Sequence, residues 1–351
     1  MSAVKWKKRI LAYYLPQFHE TPENNEWWGK GYTEWTAIKN WRPHFRGHRL
    51  RKPTDLGYYD LLEPGVIEKQ YDLASRHGIE GFCFWTYWFG NGETLLEKPM
   101  QQLLESKSRV RYCIAWANHT WFNKTKGILL KEQKYLGRED YAKFFEAMLP
   151  HFKSGRYIME SNRPVVAIYI PEDIPDLEVF RSTWDELARK NGFDGIYLVA
   201  DKISPNLKRP DLFDAFTHSL AMFSNRSFLQ KVRERLIRQH GWTFLGPVRY
   251  SFAKTTKNAF KRFQNDSRFL PIIFTGWDTT PRHGKRGVVL EDFTEQAFSS
   301  QVNEALNFPN KTEFVFIKSW NEWAEGNALE PDDRFGKTLL DIVRKANLDN
   351  N

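Results

Sequence analysis

The stretch that decides how this chain folds is Phe314-Val315-Phe316-Ile317-Lys318-Ser319-Trp320-Asn321-Glu322-Trp323-Ala324-Glu325-Gly326-Asn327-Ala328-Leu329-Glu330-Pro331-Asp332. Its first four residues are apolar, aromatic and β-branched, as in a buried strand, while Gly326 and Pro331 mark the loop into which that strand runs. Glu322 and Glu325 therefore stand three positions apart just beyond a strand end, framed by Trp320 and Trp323. On a helix such a spacing of acids usually means a solvated face. Here the flanking indoles and Gly326 argue instead for carboxyl chemistry on a sugar, whose C–H faces pack on rings and whose hydroxyls need polar partners.

Working outward, seven more segments read as strands: 9–14, 79–85, 110–116, 165–170, 195–200, 212–217 and 271–275. Several are apolar throughout, as expected of parallel strands covered on both faces. Helical patterns fall between them at 64–77, 95–106, 138–152, 177–191, 223–239, 294–307 and 337–348. Glycine follows three of the helix ends, at His77-Gly78, Asn191-Gly192 and His240-Gly241, which suits a chain leaving a helix. Eight strands interleaved with helices predict an α/β fold, a single (β/α)8 barrel of TIM type with its active site at the C-terminal ends of the strands. A doubly wound open sheet is the alternative, but no G-x-G-x-x-G or Walker loop follows an early strand. No repeat, low-complexity tract or linker divides the chain, so one domain over 1–351 is expected, with a basic insertion around 221–270; segment 242–269 has no assignable pattern.

In a barrel the strand exits carry the chemistry. The first strand is followed by Tyr13, Tyr14, Gln17 and His19, the second by Trp85, Tyr87 and Trp88, and the third by Trp116, Asn118, His119 and Trp121. The seventh is followed by Trp277 and Asp278, and the eighth by Trp320, Asn321, Glu322, Trp323 and Glu325. Any one of these rings is more often core than ligand platform. Several rings at strand exits, mixed with amides, imidazoles and acids, predict a saccharide site. Cleaving a glycosidic bond takes two carboxyl groups, and Glu322 with Glu325 supplies them; a clustered pair splits its titration, one acid holding a proton near neutrality while the other is ionised. His44 and His48 are four apart, but Gly47 works against a regular helix and no third ligand is evident, so neither a metal nor another cofactor is expected.

Composition sets the outer limits. At 351 residues, 41% hydrophobic and 27% charged, the chain is that of a globular protein, and no apolar run approaches the roughly 20 residues of a membrane span. The basic N-terminal residues 1–9 are not followed by a secretory hydrophobic region, and Cys83 and Cys113 both sit in apolar runs, so a cytoplasmic protein with free thiols is expected. The net charge of +9 is matched by the local excess in 221–270, where eleven Lys and Arg face Glu234 and Asp266. A solvated face is the plain explanation; the sharper one is a patch for an anionic partner such as phospholipid headgroups, a lipid pyrophosphate or an acidic glycan, with peripheral association at the membrane surface. Nucleic acid is not an expected partner, because the aromatics concentrate at the strand exits.

Four ordered motifs resemble a known family: Ala12 to His19, Asn25 to Trp35 with Glu34 and Trp35 at its end, Gly276-Trp277-Asp278 to Gly284, and Trp320 to Gly326. They are similar to the WbsX-type family of bacterial surface-polysaccharide gene clusters, itself similar to glycoside hydrolase family 99. The resemblance implies the (β/α)8 barrel and, as in the hydrolase relatives, retaining metal-free cleavage of α-mannosides. It matches Asn321, Glu322, Glu325 and Gly326 to an N-E-x-x-E-G motif, implying that Glu322 assists the sugar's own 2-hydroxyl in forming a 1,2-anhydro intermediate and that Glu325 is general acid and then base. The chain departs from the family at Trp116-Ala117-Asn118-His119-Thr120-Trp121, which lacks an acid and a basic pair, and its substrate is expected to differ accordingly. Expected, then, is a carbohydrate-active enzyme on cell-surface polysaccharide or its lipid-linked precursor, without a cofactor. A nucleotide-sugar-dependent glycosyltransferase and a non-catalytic glycan-binding scaffold are the alternatives.

Overall fold

The computed structural model describes residues 5–123, 127–202, 207–257, 259–309 and 313–348. Residues 1–4, part of the basic N-terminus, lie outside them, as do the side chains of Arg238 and Arg262 in the basic segment. The chain forms two compact units, one of residues 1–80, 220–267 and 271–351, the other of residues 81–219 and 268–270.

All eight expected strands are present: β1 Arg9–Tyr14, β2 Ile79–Trp88, β3 Tyr112–Trp116, β4 Arg163–Ile168, β5 Tyr197–Ala200, β6 Ala215–Phe216, β7 Ile272–Phe274 and β8 Phe314–Lys318. In the first unit β8 is the middle strand, paired in parallel with β1 (Ile10↔Val315) on one side and with β7 (Ile273↔Ile317) on the other. In the second unit β2 to β6 pair in chain order, each parallel to the next, through Cys83↔Cys113, Ile114↔Val166, Val166↔Leu198 and Ala215↔Val199. Parallel pairing and nearly complete burial of β1, β3, β4 and β8 explain the unbroken apolar runs, since a strand covered on both faces has no polar side to alternate with. Cys83 and Cys113 are buried free thiols in that ladder.

Helices form where the pattern placed them. Val66–Arg76, Glu295–Leu306 and Thr338–Asn347 belong to the first unit, and Lys98–Glu105, Arg138–Phe152 and Leu177–Lys190 to the second. Gly78, Gly192 and Gly241 all have positive φ. Gly78 is the strictest, because a Cβ there would come within 2.8 Å of the Trp6 ring. In the second unit Trp184 packs edge to face against Phe144, Phe145 and Phe152, a cluster in which each fully buried ring contributes on the order of 1.5–3 kcal/mol. The segment without a readable pattern, 242–269, forms short elements: a turn at Thr243–Leu245, a strand Val248–Ser251 parallel to Val288–Glu291, and a helix Phe252–Thr256.

Candidate active site

The site grows from the end of β8. Trp320 N–H donates to the Tyr13 carbonyl (2.8 Å), and the Asn321 amide closes a two-way clasp on Leu15, accepting from its N–H (2.8 Å) and donating to its carbonyl (3.0 Å). The exits of β1 and β8 are thereby locked together. Glu322 then bridges antiparallel to Asn327, and the intervening Trp323–Glu325 makes one tight helical turn closed by Gly326 at φ +65°. A Cβ on Gly326 would lie 2.6 Å from the Asp278 nitrogen, so the close approach of the two loops depends on glycine.

That turn brings the two acids to one cation. Lys318 Nζ lies 2.6 Å from Glu322 Oε2 and 3.8 Å from Glu325 Oε2, over the Trp277 ring at 5.7 Å from its centroid. Arg282 supplies a second cation, donating through Nη1 to Glu325 (2.5 Å) and through Nη2 to Glu34 (2.9 Å). Three carboxyl groups, Glu34, Glu322 and Glu325, thus surround an ammonium and a guanidinium. Glu34 keeps its Oε2 buried without a hydrogen-bond partner.

The acids titrate apart. Burial raises Glu322 above the ordinary glutamate value, and the charge of Glu325 adds to the rise against the pull of Lys318. Burial pushes Glu325 up as well, but Arg282 and Lys318 outweigh it and hold that carboxyl below its ordinary value. Burial also raises Glu34, with Arg282 opposing. Of the two, Glu322 is thus the acid that keeps its proton to the higher pH and Glu325 the one that ionises first, as the positions of the two cations require.

Trp323, between the two acids in the chain, is tied into an interlocked network. Glu330 Oε2 accepts from the Trp323 indole (2.6 Å) and Tyr59 hydroxyl (3.0 Å), while Oε1 accepts from Gln70 (2.8 Å); the Tyr14 hydroxyl donates to Gln70. Burial lifts Glu330 to about 7 despite those donors. Arg51 ties the loop carbonyls of Thr275 (2.6 Å), Gly326 (2.8 Å) and Ala328 (3.0 Å) to Asp332 (2.8 Å). His48 Nε2 meets Asp278 at 2.8 Å, and Asp278 accepts from Thr280, so His48 is spoken for by a carboxylate. Among the described residues no cluster of His, Cys, Asp or Glu could hold a metal ion.

In the first unit the sequence-derived candidates Glu34, Trp277, Glu322 and Glu325 are brought together around Lys318 and Arg282. Trp35 and Trp323 pack on each other behind them, 6.2 Å between ring centroids, with the Trp35 indole donating to the Tyr59 carbonyl (2.7 Å). Tyr13 is buried on Phe316, Gln17 donates to Asn24, and His19 and Trp320 are fully buried. In the second unit, Trp88 donates to Asp140 (3.1 Å), Trp116 to the Trp88 carbonyl (3.0 Å), and Asn118 clasps Ile170. Trp85 and His119 lie edge-on to Tyr169, and Tyr87 edge-on to Trp121. Sequence reasoning passed over Lys318 and Arg282. Lys318 was signalled by a lone cation closing an apolar strand and Arg282 by its place in the loop after β7, whereas Arg51 and Glu330 gave no local signal because their partners are remote in sequence.

Comparison with known proteins places this geometry in a family. The model described as glycosyltransferase WbsX matches residues 10–343. Proteins described as uncharacterized protein WxcX from two strains of Xanthomonas campestris pv. campestris, B100 and ATCC 33913, are 33% identical over 350 residues, covering 96% of this chain and 49% of each relative. The chain thus spans about half the length of the curated relatives it matches. Among solved structures, a glycoside hydrolase-like protein has a TM-score of 0.64 at 14% identity, covering 99% of this chain and 96% of that one. A GH99 endo-alpha-mannosidase from Bacteroides thetaiotaomicron, in complex with BIS-TRIS-propane, has a TM-score of 0.60 at 14% identity, covering 98% and 97%. These structures show a shared glycoside hydrolase-like fold, and the match across 10–343 means that the chain belongs to the WbsX family.

Proposed function

We propose that the chain is a retaining carbohydrate-active enzyme that cleaves or transfers glycosyl units of bacterial cell-surface polysaccharide, of O-antigen or capsule type, or of its lipid-linked precursor. One observation carries this: Glu322 and Glu325, with split titration, share Lys318 at the end of β8. In the reaction Glu322 takes the proton of the sugar's 2-hydroxyl as that oxygen attacks the anomeric carbon. Glu325 protonates the departing glycosidic oxygen, then takes a proton from the water or acceptor hydroxyl that opens the anhydro ring, while Glu322 returns its proton to the 2-oxygen as that oxygen leaves the anomeric carbon. Arg282 and Lys318 hold Glu325 below the ordinary glutamate value and burial holds Glu322 above it, so the roles as written require the pair's proton to lie on Glu325 once substrate is bound. Glu34 and Trp277 are proposed sugar contacts, the first through its unpartnered oxygen; within the same unit Gln17 and His19 are proposed with them. Trp88, Trp116 and Asn118, whose polar atoms are engaged by the fold, are assigned positioning roles.

Leaving-group chemistry tests the roles. With an unactivated glycoside, Glu325→Gln is expected to lose about 10²–10⁴ in kcat; with a glycosyl fluoride, which departs without protonation, it keeps the first step, read as a burst of released fluoride, while later turnover stays slow because the same carboxyl activates the acceptor. Glu322→Gln loses both. The reverse pattern would exchange the roles, full activity of both variants would remove the two acids from the chemistry, and absence of turnover by the parent with unchanged glycan binding by both variants would leave a glycan-binding scaffold. The family's description as a glycosyltransferase favours a second possibility, glycosyl transfer, for which a nucleotide sugar is the donor to test. Thermal stabilisation by a nucleoside-diphosphate sugar, with release of the nucleotide, would decide for it.

A further inference from the structure

The basic segment carries more than charge. Helix Phe228–Arg238 begins with a capping box, Ser227 and Gln230 each closing on the other's backbone, so its start is fixed by its own sequence. At about 100° per residue, Phe228, Val232, Leu236 and Leu229 fall in one arc of about 100°. The helix turns this arc outward: Phe228 is 78% exposed, Leu229 77% and Val232 38%. The inward side holds Ile237 and Glu234, both buried. Glu234 is the single acid in residues 221–245, and it is spent on Arg226 and the Tyr250 hydroxyl (3.1 Å).

The turn that follows extends the same surface. Trp242 N–H donates to the Leu236 carbonyl (3.2 Å) and Arg233 to the Leu245 carbonyl (3.2 Å), holding Thr243–Leu245 against the helix. Phe244 is 77% exposed and Trp242 45%, their rings 5.9 Å apart. On the helix, Lys231 and Arg235 flank the apolar arc on one side and Arg233 on the other, all exposed. Bulky rings turned to solvent, rimmed by cations and with the local acid withdrawn, have the amphipathic pattern of a helix lying in the plane of an anionic bilayer surface. No helix among the described residues is long and apolar enough to cross a membrane, so contact of this kind would be peripheral.

We infer that the outward arc Phe228, Leu229, Val232 with Trp242 and Phe244 is a membrane-docking wedge that inserts between headgroups while Lys231, Arg233 and Arg235 pair with anionic lipid phosphates. The chemistry of the polar rim and apolar arc carries this independently of the catalytic proposal. Vesicle co-sedimentation tests it, using phosphatidylcholine alone and phosphatidylcholine with about one third phosphatidylglycerol. The parent chain is expected to bind the anionic vesicles and to release at high salt. Lys231→Gln/Arg235→Gln is expected to bind roughly 25-fold more weakly, about fivefold per cation. Phe228→Ser/Leu229→Ser/Phe244→Ser is expected to bind at least roughly 100-fold more weakly, because each inserted side chain is lost from the bilayer. These side chains are mostly exposed, so an unchanged melting temperature is expected to accompany the loss. Equal binding to both vesicle types, or unaltered binding of the apolar variant, would overturn the inference. Concentration-dependent self-association of the parent that the apolar variant lacks, without vesicle binding, would overturn it in favour of a second copy of the chain.

Discussion

Glu330 offers a prediction whose size can be worked from its surroundings. The carboxyl is 1% exposed, accepts from the indole of Trp323, which stands between Glu322 and Glu325 in the chain, and titrates near 7 against an ordinary 4.5. Folding therefore favours its protonated form. At a pH between the two values the native chain binds the proton and the unfolded chain does not, so stability falls as pH rises through that window. The rise of about 2.5 units corresponds to about 3 kcal/mol, absent below pH about 4.5 and fully present above about 7. Glu330→Gln removes the titration but sets an amide N–H among the Trp323, Tyr59 and Gln70 donors, a penalty that does not vary with pH. Urea unfolding of parent and variant at pH 4.5, 6 and 8 separates the two effects. The variant is expected to be the less stable at pH 4.5, and its deficit to shrink by about 3 kcal/mol by pH 8. Parallel stability curves would refute a proton held on Glu330 by burial.

Arg282→Met leaves Glu34 and Glu325 facing each other without their guanidinium, and at pH 7 is expected to cost about 3–5 kcal/mol. Because Arg282 holds Glu325 down, the deficit should lessen toward pH 5 as the freed carboxyls take up protons; an equal deficit at both pH values in urea melts would count against the arrangement. Gly326→Ala forces a left-handed residue and places a Cβ 2.6 Å from the Asp278 backbone, an expected loss of about 2–5 kcal/mol. A shift of the urea midpoint equivalent to less than about 1 kcal/mol would mean that the loops after β7 and β8 can part without cost.

Much of this protein was written locally. The strands lie where unbroken apolar runs placed them, because parallel strands covered on both faces need no polar alternation and leave a signal that survives in one dimension. The helix ends at Gly78, Gly192 and Gly241 were legible because positive φ belongs largely to glycine. Segment 242–269 was not legible, since its turn, short strand and short helix are each too brief to build a period.

The sequence by itself determined the pair of acids and their place at a strand end, since Glu322 and Glu325 are close in the chain and their neighbours are bonded to them. It could not determine their electrostatics. Which acid carries the proton depends on Arg282, 43 residues from Glu325, and on the seating of Lys318 between the two carboxyls. The tertiary structure also decided that rings such as Trp116 are spent on packing, and that the rings and cations of the basic segment share one outward surface. Burial and charge proximity are properties of the folded chain, and pKa values and docking surfaces are made of them.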